Sequence, residues 1–264
     1  MEKISLWGYN GVELWEPHVL RVKNKTRLAT TLKSLNIVCS SIVSYIDVVA
    51  VENKDTTEIK HCEQVLSICQ ALDCNVLRVF AGNKPSNKVD LNLKDVIYKG
   101  LLSLSKKAKE RNVRLLVETH HDTLTDSPYS AEMLFTNLYP EIGCILDLAN
   151  LIEADKDWEK ALYRLMPFTE HFHIKNTPFP EDLSKFNPFR HVFNRNLSLD
   201  LPSLEEGYID YKKVFKVLKE YKFNKWLVLE WFGKNVQNVA VREILYMRNL
   251  LEAHSKKTPN KACT

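Results

Sequence analysis

Apolar positions along the chain fall into two alternating rhythms. Short runs rich in β-branched residues read as strands: "GVELW" (11–15), "IVCSSIVS" (37–44), "NVLRVFAG" (75–82), "VRLLVETHH" (113–121), "GCILDLAN" (143–150), "HFHIKN" (171–176) and "WLVLEWF" (226–232). Between them lie "TRLATTLKSLN", "TEIKHCEQVLSICQALD", "KDVIYKGLLSLSKKAKERN", "SAEMLFTNLYPE", "DWEKALYRLMPF" and "DYKKVFKVLKEYKF". In these, apolar residues recur at three- and four-residue steps, which is the signature of amphipathic helices. Asp157 and Asp210 stand where helix N-caps belong.

Strands alternating with helices at steps of roughly 25–40 residues imply parallel βα units, whose strands are covered on both faces and turn mostly apolar. An open doubly wound sheet and a closed (β/α)8 TIM barrel both satisfy that pattern. The barrel is favoured. No G-x-G-x-x-G turn follows any strand, and polar residues recur at strand C-terminal ends, where barrel sites assemble. The expectation is one α/β barrel domain over residues 1–264, with 255–264 as a frayed tail. Seven strands are visible where eight are expected. The chain opens on "MEKISLWGYN", a helix tail running straight into "GVELW", as though the first β-strand were missing from the N-terminus. Residues 177–209, rich in Pro and Asn, break the rhythm and read as a functional or disordered loop over the barrel mouth.

Composition changes this picture little. A chain that is 45% apolar and 27% charged can build a sizeable core, and a formal net charge of +4 is small for 264 residues. Lysine and glutamate alternate on helix-like stretches, and no basic block announces nucleic acid. No apolar run is long enough to span a bilayer, and no secretory leader is visible. Cys39, Cys62, Cys69, Cys74, Cys144 and Cys263 form no C-x-x-C pair, so free thiols in a reducing cytoplasm are expected.

Strand parity then singles out the chemistry. Side chains alternate between faces, so if the outward residues pack on helices, Glu118, Asp147, His173 and Glu230 all point inward, each near the C-terminal end of its strand. Converging carboxylates repel one another and take up protons unless a cation joins them. A divalent metal relieves that conflict, and mixed oxygen and imidazole ligands suit Mn, Zn or Fe better than Ca. The plain alternative is a set of separate buried ion pairs.

The motifs "GYNGVELW", "LRVFAG", "LLVETHH", "ILDLAN", "HFHIKN", "EGYIDYKKVFKVLKEYKF" and "WLVLEW" follow one another in an order and spacing that resembles the xylose isomerase-like barrel superfamily, in particular its sugar phosphate isomerase/epimerase branch. The resemblance runs from Gly8 to about Glu230. It implies one divalent metal (Mn, Zn, Mg or Fe) held by Glu118, Asp147, His173 and Glu230, the four residues that parity selects. It also implies isomerase or epimerase chemistry on a small sugar or keto-polyol. The metal would stabilise an enediolate, while Glu118 and Glu230, on opposite faces of the substrate, would move protons as catalytic residues. One departure stands out. The family commonly carries His three residues after the strand Asp, and this chain has Asn150, which cannot ionise and is a poor zinc ligand.

His120, Asn150, Lys175, Glu13 and His18 are candidates for substrate binding, with Glu13 equally readable as an ion-pair or ligand-supporting residue. Arg78 is expected to pair with a buried carboxylate. Trp15, Phe80 and Trp231 can form apolar walls, and Arg190, His191 and Arg195 in the long loop can grip a phosphate. Other functions remain open: an inosose-type polyol dehydratase on the same barrel, an AP-endonuclease-like DNA repair protein, and a non-catalytic descendant. An open barrel can also pair its edge strands in a homodimer. The small charge and Asn150 speak against nucleic acid.

Overall fold

The computed structural model describes residues 1–181, 201–231, 233 and 235–255. Arg190, His191 and Arg195, and the expected tail beyond Ser255, lie outside those residues. The seven expected strands are present: β1 (Gly11–Trp15), β2 (Val38–Val43), β3 (Val76–Val79), β4 (Arg114–Glu118), β5 (Gly143–Asp147), β6 (Thr169–Ile174) and β7 (Trp226–Leu229). They form one sheet in chain order, and each neighbouring pair from β1 to β6 is parallel. First and last strands approach closely. A Cβ on Gly11 would stand 2.9 Å from both the Trp226 ring and the Val38 carbonyl, so only glycine fits that position.

The helices are α1 (Glu2–Leu6), α2 (Glu16–Arg21), α3 (Lys25–Ser34), α4 (Val48–Glu52), α5 (Thr56–Ala71), α6 (Leu91–Lys109), α7 (Pro128–Leu138), α8 (Trp158–Leu165), α9 (Tyr211–Glu220) and α10 (Val236–Ser255). Asp157 and Asp210 cap α8 and α9 as the sequence suggests. Two boundaries shift for local reasons. α6 starts at Leu91 because the Asp90 carboxylate accepts the Leu93 N–H at 2.8 Å. α7 starts at Pro128 behind the Ser127–Ser130 capping box and ends before Pro140.

Four helices enter their following strands by one device. Asn36, Asp73, Asn112 and Lys222 take positive φ just past α3, α5, α6 and α9. The next residue, Ile37, Cys74, Val113 or Phe223, donates its N–H back to the carbonyl of Leu32, Cys69, Ala108 or Leu218. These are Schellman turns, each carrying its apolar residue into or just ahead of the next strand.

The described chain divides into two compact units, Met1–His173 with Lys225–Val228, and Ile174–Asn224 with Leu229–Thr264. In the first, Ile42, Leu66, Leu77, Leu101, Leu115 and Phe135 are buried between strands and helices. In the second, Asn176 ties down the returning chain. Its amide donates to the carbonyls of Ser203, Leu204 and Ile209 and accepts the N–H of Ile209 at 2.9 Å. The Tyr211 hydroxyl donates to the Lys175 carbonyl at 2.7 Å.

Gly100 on α6 lies directly against the Val48 carbonyl of α4, where a Cβ would overlap the oxygen. Alanine gains about 1 kcal/mol in helix propensity, but overpacking of this kind costs about 1–3 kcal/mol. The overlap is with backbone, which places the cost at the upper end, so Gly100→Ala is expected to lower the urea-unfolding free energy by about 2 kcal/mol. An unchanged midpoint would show that the two helices yield freely.

Candidate metal centre

Glu118 ends β4, Asp147 ends β5 and His173 is the last residue but one of β6. The parallel register sets Glu118 beside Ile145 and Asp147 beside His173, so strands of equal parity bring the three side chains to one place. All three are buried. One ligand atom from each lies within 4.8 Å of the others. His173 Nδ1 is 3.3 Å from Glu118 Oε1 and 4.0 Å from Asp147 Oδ2.

Neighbouring groups hold these side chains in place. Thr119 Oγ1 donates to the Asp147 carbonyl at 3.0 Å. Asn150 donates its backbone N–H to Asp147 Oδ1 at 3.2 Å and its amide to Glu118 Oε1 at 3.3 Å and the Thr119 carbonyl at 3.0 Å. The Asn150 side-chain amide is thus engaged with the Glu118 carboxylate.

Glu13, His171 and His173 form an adjoining group, again with ligand atoms within 4.8 Å of one another. Two bulges produce it. The β1–β2 register slips after Val12, so Glu13 falls beside Ser41, whose hydroxyl donates to its carboxylate. The β5–β6 register slips after Cys144, leaving Glu170 unpaired in the ladder and setting His171 beside Ile145. Bulges re-aim side chains in this way beside functional sites.

Burial pushes the Glu118 carboxyl upward, but the charges of Arg78 and then His173 outweigh it and hold the group well below the usual carboxylate range. Arg78 Nε lies 2.9 Å from Glu118 Oε2, the pairing expected of this arginine. Its NH1 donates to the Ser44 carbonyl, and its guanidinium stacks over Phe80 at 4.2 Å. Burial likewise opposes ionisation of Glu13, yet His173, His171 and Arg78 bring it down to about 2. Burial pushes His171 down to about 4 against the attraction of Glu13, so its ring is neutral near pH 7.

A row of rings runs across the strand ends, Trp15 to Tyr45 to Phe80 to His120, with centroids 6.4, 5.8 and 4.4 Å apart. His120 Nδ1 sits 2.8 Å from the His121 carbonyl. His18 stands apart from the cluster, exposed on α2 and edge-on to Trp15 at 4.7 Å. In the second unit, Lys175 Nζ is 2.7 Å from Glu230 Oε2, and the Glu230 N–H donates to the Ile174 carbonyl at 3.0 Å. Ser41, Thr119 and the ligand-like placement of His171 escape the sequence reading. His171 does share the face of His173 by strand alternation.

Residues 1–250 match the family described as "Xylose isomerase-like TIM barrel". The chain belongs to that family. It is 26% identical over 251 residues to a 3-dehydroshikimate dehydratase of Bacillus anthracis, covering 92% of this chain and 89% of that relative. It is 22% identical over 248 residues to an inosose dehydratase of Clostridium botulinum, covering 87% and 80%. A crystal structure of a probable 3-DHS dehydratase from Bacillus anthracis superposes with a TM-score of 0.83 at 24% identity, covering 94% of this chain and 92% of the other. The fold is accordingly an α/β TIM barrel, with seven strands among the described residues. No helix among the described residues is long and apolar enough to cross a membrane.

Two buried carboxylates and a buried imidazole with ligand atoms this close can hold a divalent cation. Arg78→Met removes the cation that partners buried Glu118. Breaking such a pair costs about 3–5 kcal/mol. Thermal unfolding of the variant should show that loss in EDTA and a smaller one with excess Mn. Equal losses in both conditions would mean that no metal reaches Glu118.

Proposed function

We propose that this chain is a divalent-metal-dependent dehydratase of a small cyclic hydroxyketone, of the type represented by 3-dehydroshikimate and inosose. One observation carries the reading: near full-length similarity to a 3-dehydroshikimate dehydratase in a chain whose Glu118, Asp147 and His173 converge. The sequence pattern adds Glu230 as the fourth ligand, and that assignment is part of the proposal.

A divalent cation, when bound by these residues, supplies Lewis acidity to a substrate carbonyl and so acidifies the adjacent C–H. Glu118 is a weak base, because Arg78 holds it as an anion. The proton therefore falls to His120. A carbonyl oxygen can only accept, so His120 Nδ1 carries the hydrogen donated to the His121 carbonyl, and Nε2 bears the lone pair. Nε2 takes the proton from the carbon beside the carbonyl. The C–H electrons form a carbon–carbon double bond, the β-hydroxyl departs, and the imidazolium returns the proton to it as water. Trp15, Tyr45 and Phe80 offer flat apolar surface to a ring-shaped substrate.

The isomerase or epimerase reading draws on the same ligands but returns the proton to carbon. Mass spectrometry separates the two. With 3-dehydroshikimate or inosose and Mn-loaded protein, the expected product is lighter by one water, and His120→Gln loses roughly 10²–10⁴-fold in rate at unchanged metal content. A product of unchanged mass, carrying solvent deuterium beside its carbonyl, would overturn dehydration in favour of isomerisation.

A further inference from the structure

The two candidate ligand groups share His173, and its ring nitrogens face different carboxylates. Nδ1 looks toward Glu118 and Asp147, at 3.3 and 4.0 Å. Nε2 looks toward Glu13, at 3.3 Å. A neutral imidazole has one lone pair, so a ring that gives Nδ1 to a metal keeps its hydrogen on Nε2. Glu13 is then placed to accept that hydrogen and cannot share His173 with a second cation unless the ring becomes an imidazolate.

We infer that Glu13 is a positioning residue: its carboxylate, held by the Ser41 hydroxyl, accepts the Nε2–H of His173 and thereby presents Nδ1 to the metal. The β1–β2 bulge exists at the position that makes this possible, since without the slip after Val12 the carboxylate would not fall beside Ser41. His171 is fully buried with no hydrogen bond to either ring nitrogen, and its Nε2 lies 3.8 Å from the same carboxylate. Carboxylate–histidine–metal chains of this kind fix the tautomer and the ring plane, and losing the outer carboxylate typically costs 10–100-fold in metal affinity.

The inference rests on the metal reading above, and the test separates the two. Zinc affinity of the full chain is measured by competition with a chromophoric chelator for wild type, Glu13→Gln, Glu13→Leu and Ser41→Ala. Zinc-loaded protein labelled with 15N at histidine reports the His173 ring by NMR. The expected result is one zinc per chain in wild type, with a His173 Nε2–H signal protected from exchange. Glu13→Leu should bind zinc 10–100-fold more weakly and lose that protection. Glu13→Gln, whose amide oxygen still accepts, and Ser41→Ala should fall between the two. Equal affinity in wild type and all variants overturns the role of Glu13 but leaves the metal centre standing. Two zinc ions in wild type and one in Glu13→Leu would make Glu13 a ligand, which also overturns it. Wild type that binds no zinc, Mn or Mg removes the metal reading itself.

Discussion

Three carboxyl groups, Glu13, Glu118 and Asp147, crowd together at one end of the sheet, and their mutual repulsion is the constraint around which the site is built. Buried charge is tolerated only where opposite charge and hydrogen bonds meet it. Arg78 meets Glu118, His173 stands between Glu118 and Glu13, Ser41 donates to Glu13, and Asn150 donates to Glu118 and Asp147. The aromatic rings over Arg78 keep its guanidinium in a low-dielectric setting, where its pull on Glu118 is strongest.

Much of this was legible in the order of residues. Parity alone put Glu118, Asp147 and His173 on one face, because parallel strands repeat the same alternation and the register between β4, β5 and β6 is regular at their C-terminal ends. Arg78 followed from the rule that buried charges are paired. What stayed hidden depended on register slips. A bulge changes which residues are neighbours without changing the alternation that a reader sees, so Ser41 gave no sign of meeting Glu13, and Glu170 gave none of its bulge. Nothing local marks either slip. Gly143 shows its reason for being glycine only once a Cβ is seen to collide with the Glu170 carboxylate.

The scaffold beneath the site uses few glycines, seven in 264 residues, and places Asn, Asp or Lys at the left-handed turns that end α3, α5, α6 and α9. Asn and Asp pay less than most residues for that conformation. Each turn returns an apolar residue to the sheet, and that repeated exit sets where the following strand begins. Strand starts fix strand ends, and the strand ends carry the ligands. The placement of Glu118 at the end of β4 thus begins with Asn112, five residues before Val117.

The commitments of these side chains also bear on which reaction the site can support. Epimerisation needs one group to remove a proton from carbon and another, on the opposite face, to deliver one, whereas isomerisation can pass the proton between adjacent carbons on a single base. Elimination of water needs a single carrier, because the proton taken from carbon leaves with the hydroxyl. Glu118 is bound to Arg78 and Asn150, Glu13 to Ser41 and His173, and Glu230 to Lys175. A carboxylate held by cations and hydrogen-bond donors has had its basicity spent. His120 has its tautomer set by a backbone carbonyl. Anchored carboxylates beside an imidazole of set tautomer suit the proposed dehydration, with its one proton carrier, better than an epimerisation that needs two.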